Sequence, residues 1–376
     1  MKVLHFGSLD YNVGGPAMST YHTLKGLKTL GLDVMIAMYS LNNNGKLWGE
    51  DVPIYFCKKP LEQKFAFSNT LKQELSAISN VDIYHAQGIW QYPTYALVDI
   101  AKKNDRPYLI TPRGMLYPQD IAKASTFFKK ISLKLRLLYD LNNSACVHVT
   151  CEEEMIHCRN LGISSPIAII PNPVEIKNYL PHTNQNCFTI GYLGRISRRK
   201  NIESLIYSLA NLGIANKECQ LLIIGGGDHD YESFLKAEVK RLRLENVHFL
   251  GFLSGKEKDE ALSKVDILVM PSEFENLGNA VLEGLVRGIP CIATKGSPWK
   301  DLETYNCGWW VEYNQLAITE AIRSAFNSSK SDLAAMGRNG RILVENNYSV
   351  NSIANKMKGL YEWIISNSQM PDFVFV

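Results

Sequence analysis

The sequence predicts an α/β protein made of two parallel-sheet domains, and three observations carry that prediction. Both halves alternate short apolar, β-branched runs with amphipathic helical stretches, the pattern of strands joined by crossover helices. The 376 residues exceed one ordinary domain, and 46% apolar content is ample for two cores. Between the halves, the stretch from Pro171 to Asn186 is rich in proline and asparagine and reads as a linker.

In the first half, strands are placed near residues 2–7, 33–39, 82–85, 107–111, 145–149 and 167–170, around helices near 16–30, 64–79, 93–104, 121–142 and 151–160. In the second, strands fall near 189–194, 220–225, 247–251, 266–270 and 290–294, followed by three helices from about residue 314. The domain boundaries follow as 1–174 and 175–350, with residues 351–376 as a C-terminal helix.

Composition narrows the function classes. No run approaches 18 consecutive apolar residues, and the chain enters directly into the strand-like Lys2-Val3-Leu4-His5-Phe6, so a cytoplasmic location is expected. Eight cysteines (57, 146, 151, 158, 187, 219, 291 and 307) include no C-x-x-C pair, and several sit in apolar runs such as Pro290-Cys291-Ile292-Ala293. Reduced, mostly buried thiols are expected, with neither disulfide framework nor zinc site. The net charge of +3 is modest and no nucleic-acid motif accompanies it, so no nucleic-acid partner is expected.

The most informative segment is Pro271-Ser272-Glu273-Phe274-Glu275-Asn276-Leu277-Gly278-Asn279-Ala280-Val281-Leu282-Glu283, closed by Gly288-Ile289-Pro290. The run Ile267-Leu268-Val269-Met270 reads as a buried strand that Pro271 and Ser272 end, which leaves Glu275 on a loop at its carboxyl edge. Gly278 and Asn279 permit a tight turn and an N-cap, and Ala280 to Arg287 reads as a helix whose free N–H groups suit an anion. Glu283 lies about a turn inside it. Two carboxylates so placed can each accept hydrogen bonds from a diol, as a sugar and a ribose offer. A solvated helix face with two chance glutamates is the competing reading.

Other loops sit at strand ends, where parallel sheets bind ligands. After the strand at 189–194 comes Gly194-Arg195-Ile196-Ser197-Arg198-Arg199-Lys200-Asn201, a cationic turn leading into a helix at Asn201; its charges can neutralise a departing diphosphate, or merely be solvated. After the first strand, Asp10-Tyr11-Asn12-Val13-Gly14-Gly15-Pro16 opens a helix, and Gly14 and Gly15 would let backbone N–H groups approach a ligand. Gly225-Gly226-Gly227-Asp228 lacks the full dinucleotide spacing. Asp82-Ile83-Tyr84-His85-Ala86-Gln87-Gly88-Ile89-Trp90 and Leu109-Ile110-Thr111-Pro112-Arg113-Gly114-Met115-Leu116 are further strand-to-loop transitions carrying polar and aromatic groups. His85 is read as either a site residue or a satisfied strand-end histidine.

Taken together, these strings resemble the retaining glycosyltransferases of the GT-B fold, family 4 (glycosyl transferases group 1), of the bacterial surface-polysaccharide type. The resemblance implies two facing Rossmann-like domains with a deep interdomain cleft, and a last helix that packs back on the first domain. It implies that Glu275, Arg195 and Lys200 act on the transferred sugar and diphosphate. Gly15, Glu283, Leu277, Gly278, Asn279, Gly225 and Gly227 would bind the donor, with Glu283 on the ribose diol. Gly14, Asp10, Tyr11, His85, Trp90 and Arg113 are the acceptor or sugar candidates. Three departures stand out: Arg113 where the family often has histidine, Leu277 where an aromatic is common, and Gly284 where alanine is usual. The place of Arg113 carries over, but the histidine's role does not.

A membrane surface is suggested by the segment from Ile121 to Tyr139, which holds Lys123, Lys129, Lys130, Lys134 and Arg136 without Asp or Glu. Phe127, Phe128, Ile131, Leu135 and Leu138 form an apolar stripe between these cations, suited to anionic lipid, or alternatively to packing on the sheet with lysines reaching outward. Met1 to Val174 carries 18 Lys/Arg against 14 Asp/Glu, whereas the remainder carries 22 against 23.

The expected function is transfer of a sugar from a UDP- or GDP-sugar to a polyprenyl-diphosphate-linked saccharide in cell-surface polysaccharide synthesis (O-antigen, capsule or exopolysaccharide). The protein would sit peripherally on the inner face of the cytoplasmic membrane, with no cofactor and no metal requirement. A nucleotide-sugar epimerase of the same fold and a non-catalytic nucleotide-sugar-binding subunit are the alternatives. A nicotinamide dehydrogenase is disfavoured by the missing N-terminal G-x-G-x-x-G.

Overall fold

The computed structural model describes every residue except 42–44, 50, 63, 123–130, 184–186, 213–217 and 367. The chain divides into two units, Met1–Glu175 with Ser349–Val376, and Ile176–Tyr348.

The first unit is built on β1 (Lys2–Phe6), β2 (Asp33–Tyr39), β3 (Ile54–Cys57), β4 (Ile83–Gln87), β5 (Tyr108–Thr111), β6 (Cys146–Val149), β7 (Ile167–Ile169) and the chain's last strand, β14 (Val374–Phe375). They order as β14-β7-β6-β5-β4-β1-β2-β3, parallel except for β14 against β7. β5 and β6 are buried at every position, as expected for a parallel sheet covered on both faces. The six strands expected here are present. β3 and β14, the two edge strands of this sheet, are absent from the sequence reading.

The helix expected over 64–79 is confined to Leu71–Ser76. Before it, the Glu62 carboxylate accepts hydrogen bonds from the backbone N–H groups of Phe65 and Phe67, a loop closure that competes with helix. The C-terminal helix Val350–Ser366 packs on the helix Gly15–Thr29, with Ile353, Met357, Leu360 and Tyr361 buried in the core beneath.

The second unit holds β8 (Phe188–Leu193), β9 (Cys219–Ile224), β10 (Val247–Gly251), β11 (Ile267–Met270), β12 (Cys291–Thr294) and β13 (Gly308–Val311). Its sheet order is β10-β9-β8-β11-β12-β13, all parallel. The reversal between β8 and β11 brings the loops after these two strands side by side, at the switch point where such sheets bind ligands. β13, with its two tryptophans, is the strand missed. Three helices follow as expected, at Gln315–Asn327, Lys330–Asn347 and Val350–Ser366. All eight cysteines are free thiols, seven of them buried.

One close contact limits the first unit's helix packing. A Cβ at Gly26 would lie 2.7 Å from Ala354 Cβ and 3.0 Å from the Val350 carbonyl oxygen. Gly26→Leu is therefore expected to destabilise this unit by about 1–3 kcal/mol through overpacking. Urea unfolding monitored on the first unit measures it, and an unchanged midpoint would contradict the packing described.

Candidate functional site

In the second unit, the loops after β8 and β11 are stitched together by backbone. Glu273 N donates to Arg199 O at 2.9 Å, and Asn201 Nδ2 donates to Pro271 O at 3.3 Å. Asn201 adopts a left-handed conformation at the end of a 3-10 turn, Arg198–Lys200, so the helix expected from Asn201 begins at Glu203. The effect is to aim Lys200 at Glu275. Its ammonium donates to Glu275 Oε1, which also accepts from Ser272 Oγ at 2.7 Å. The side chains are only 16% and 9% exposed, so this is a largely desolvated pair. Glu275 N donates to Gly296 O at 2.7 Å, which braces the loop against the chain beyond β12.

The four cations of the basic turn separate by what they touch. Arg198 stacks over Tyr231 and Phe234, at 5.4 and 5.7 Å from the ring centroids, and Arg199 over Phe274 at 5.2 Å. Lys200 is paired. Arg195 is exposed, and its guanidinium makes no hydrogen bond or ion pair with the described residues.

The helix after the Glu275 loop covers Asn279–Leu285, shorter than the expected 280–287, with Gly278 as its N-cap. Leu277 is buried, and its carbonyl accepts from the indole N–H of the fully buried Trp299. Glu283, one turn in, does not meet the Lys200 pair: its carboxylate accepts from Lys258 Nζ at 2.5 Å, with Arg287 Nη1 at 3.8 Å. Arg287 in turn holds Asp259 at 2.5 Å. Lys258 carries no motif, so the sequence gives no signal for it.

Gly225 and Gly227 have a packing reason. A Cβ at Gly225 would lie 1.8 Å from Gly194 O, and one at Gly227 2.2 Å from Ile196 O. The loop after β9 thus presses directly on the basic turn, and Ile196 N donates to Gly226 O at 3.0 Å. Beside it, Asp228-His229-Asp230 has the Asp-x-Asp spacing that some metal-dependent transferases use, so the expectation of no metal requirement gains nothing from the sequence. Here Asp228 is the N-cap of the helix His229–Arg241, accepting from Asp230 N at 3.0 Å and Tyr231 N at 3.1 Å.

In the first unit, Asp10 caps a 3-10 turn by accepting from Asn12 N at 2.9 Å, and Tyr11 stacks on Trp48 with centroids 4.3 Å apart. Gly14 caps the helix Gly15–Thr29. Trp90 takes a left-handed backbone and donates its indole N–H to Met115 O at 3.2 Å.

His85 is fully buried and belongs to a chain of hydrogen bonds whose direction is fixed at both ends. Arg113 Nη2 donates to Gln87 Oε1 (2.7 Å), so the Gln87 amide faces His5 Nδ1 (3.0 Å). His5 Nε2 then donates to Tyr361 Oη (3.0 Å), and Tyr361 to His85 Nδ1 (2.8 Å). His85 Nε2 donates to Thr111 Oγ1 (2.7 Å), Thr111 to His148 Nδ1 (3.0 Å), and His148 Nε2 to the Ile170 carbonyl (2.8 Å). Each imidazole is therefore neutral with its proton on Nε2. Burial is the main cause that lowers all three: His5 to about 3, His148 to about 4, and His85 well below its ordinary value.

Of the segment at 121–139, Lys123, Phe127, Phe128, Lys129 and Lys130 lie outside the described residues. Ile131 and Leu135 are exposed, whereas Leu133 and Leu137 are buried. The backbone from Leu133 to Leu137 is a π-helical turn. Arg136 departs from the expected cationic border, since it bonds Asp140 at 3.0 Å and also Asp99. No helix among the described residues is long and apolar enough to cross a membrane.

Comparison with known proteins covers both units. Residues 181–343 match the family described as Glycosyl transferases group 1, and residues 13–178 match Glycosyltransferase Family 4. A GDP-mannose-dependent monoacylated alpha-(1-6)-phosphatidylinositol monomannoside mannosyltransferase of Corynebacterium glutamicum is 27% identical over 51% of this chain and 55% of its own. The capsular polysaccharide biosynthesis glycosyltransferase CapM of Staphylococcus aureus is 27% identical over 53% of this chain and 51% of its own. The chain thus spans about half the length of these relatives. Sucrose-phosphate synthase from Thermosynechococcus elongatus superposes with a TM-score of 0.79 at 17% identity, covering 98% of this chain and 100% of that one. A glycosyltransferase from Rickettsia africae gives 0.75 at 21% identity, covering 98% and 99%. The fold is that of the GT-B glycosyltransferases.

Two predictions follow from this geometry. Lys200→Met leaves a buried carboxylate without its cation and is expected to destabilise the second unit by about 1–3 kcal/mol, most of it recovered in Lys200→Met/Glu275→Gln. Additive urea-unfolding energies would contradict the pairing. In the first unit, the histidines' folded values lie below their unfolded value of 6.5, so below that pH the unfolded chain binds more protons. Stability is expected to be complete above about pH 6.5 and to fall as pH drops towards about 4. Nitrogen-15 spectra at about pH 5 should show three neutral rings protonated on Nε2, and a ring titrating near 6.5 would break the chain described.

Proposed function

We propose that this chain, which belongs to the group 1 and family 4 glycosyltransferases, moves a hexosyl unit with retention from a nucleoside diphosphate sugar to a lipid-linked saccharide acceptor in surface-polysaccharide synthesis. The observation that carries the reading is the desolvated Lys200–Glu275 pair, held at the sheet's switch point by Ser272 and the two stitched loops. With donor bound, Glu275 accepts hydrogen bonds from the sugar hydroxyls and releases Lys200 to the diphosphate. Arg195, whose guanidinium makes no hydrogen bond or ion pair with the described residues, joins it there, where negative charge grows as the glycosidic bond breaks. Glu283 exchanges Lys258 for the ribose diol. The acceptor hydroxyl attacks from the leaving group's face and gives its proton to a phosphate oxygen, so no protein nucleophile is required.

The donor base is UDP or GDP; the corynebacterial relative is described as GDP-mannose-dependent, and an Anabaena structure of the same fold was determined with UDP and glucose. The two cations supply the charge that the diphosphate needs, and the proposed reaction is metal-independent. The acceptor reading is a polyprenyl-diphosphate-linked glycan, reached from the inner face of the cytoplasmic membrane, and it draws support from the exposed Ile131 and Leu135 beside Lys134.

The test is transfer from radiolabelled UDP- and GDP-sugars into lipid-linked saccharide in the presence of chelator. Glu275→Gln should lower transfer by about 10²-fold or more while keeping nucleoside diphosphate affinity, and Lys200→Ala should weaken that affinity by roughly tenfold. Near-normal turnover in a folded Glu275→Gln protein would remove the assignment.

A further inference from the structure

Arg113 is a cation placed among neutral groups. Its guanidinium donates twice to Gln87 Oε1 (Nε at 3.1 Å, Nη2 at 2.7 Å), to Thr20 Oγ1 at 2.8 Å, and at 3.4 Å to Asn172 Oδ1. It forms no ion pair with the described residues. The carboxylate that favours its charge, Glu154, is spent elsewhere: it accepts from Gly114 N at 2.5 Å, Thr150 N at 2.9 Å and Thr150 Oγ1 at 3.1 Å. Burial lowers the guanidinium to about 10, and the three imidazoles along the chain are neutral.

Holding an uncompensated cation in desolvated surroundings is costly, and removing it for an apolar residue would be the stable choice if packing alone mattered. The surroundings instead fix its direction. Gln87 is itself oriented by His5, and Thr20 by its hydroxyl's bond to Pro16 O at 2.9 Å, so the planar fork is set from two sides. The backbone of Arg113 is left-handed (φ 54°), an uncommon conformation for a residue other than glycine. Arg113 lines a small pocket with Ser19, Thr20 and Asn172. Of five N–H donors, Nη1 makes only the long contact to Asn172, which leaves a donor for an incoming acceptor.

We propose that Arg113 is the anchor of an oxyanion site in the first unit, taking a phosphate or carboxylate group of a substrate, with Thr20 and Gln87 as the residues that position it. The inference rests on the glycosyltransferase reading only for the identity of that substrate. The anion is that of an acidic acceptor saccharide, one of whose oxygens accepts the remaining Nη1–H of the guanidinium.

The experiment follows the Arg113 Nε–H resonance in the intact nitrogen-15-labelled protein, assigned by its loss in Arg113→Lys. Inorganic phosphate is titrated at constant ionic strength against chloride, and UDP and GDP are titrated separately. A saturable shift with phosphate that persists in Lys200→Ala is expected for an acceptor anion. A shift with UDP or GDP but none with phosphate overturns the proposal. Thr20→Val, which keeps the charge and removes one positioning acceptor, should weaken the response by about threefold to tenfold. A resonance unmoved by phosphate, UDP and GDP alike overturns the proposal. Since the phosphate arm needs neither donor binding nor turnover, its failure is distinct from failure of the transferase reading.

Discussion

A carboxylate nine-tenths buried at the end of a parallel strand must find a cation, and the second unit is arranged around that requirement. Lys200 meets Glu275 because a left-handed Asn201 ends the basic turn early and because Glu273 N and Asn201 Nδ2 bind the two loops to each other. Glycines at 225 and 227 let a third loop press on the same turn, and Trp299 closes the far side through the Leu277 carbonyl. The pair lets each charge compensate the other. In the proposed reaction donor binding exchanges one set of ionic partners for another, so that no bare charge need be created in a dry site.

The first unit solves a similar difficulty without counter-charge. Three imidazoles on strands β1, β4 and β6 of one sheet would repel one another if protonated, and the one-directional chain keeps them neutral by giving each ring one donor and one acceptor. The parallel register sets His5 opposite His85, so the two rings lie on the same face with centroids 4.6 Å apart, tilted by 37°. Tyr361, from the C-terminal helix, links them, which ties the end of the chain to the sheet that carries Arg113. Fixing these tautomers also fixes the Gln87 amide, and through it the plane of the guanidinium.

Much of this was legible in the sequence where local pattern and position coincide. The buried run 267–270, the Pro-Ser turn and the spacing from Glu275 to Glu283 put both carboxylates on the right elements, and the glycine-flanked basic turn announced Lys200. What escaped is non-local. Nothing near Glu283 signals Lys258, 25 residues away, and nothing near His85 signals Tyr361, 276 residues away. β3, β13 and β14 are edge strands, each held by pairing with a single neighbour. The loop at 62–67 defeats a helical pattern because one carboxylate satisfies two backbone donors more locally than a helix would.

The most direct test of the account is calorimetric titration of the intact protein with UDP, GDP and NADH in chelator. The account predicts that one nucleoside diphosphate binds at one site and that NADH does not bind. Binding of NADH alone would contradict it, as would silence towards both nucleoside diphosphates.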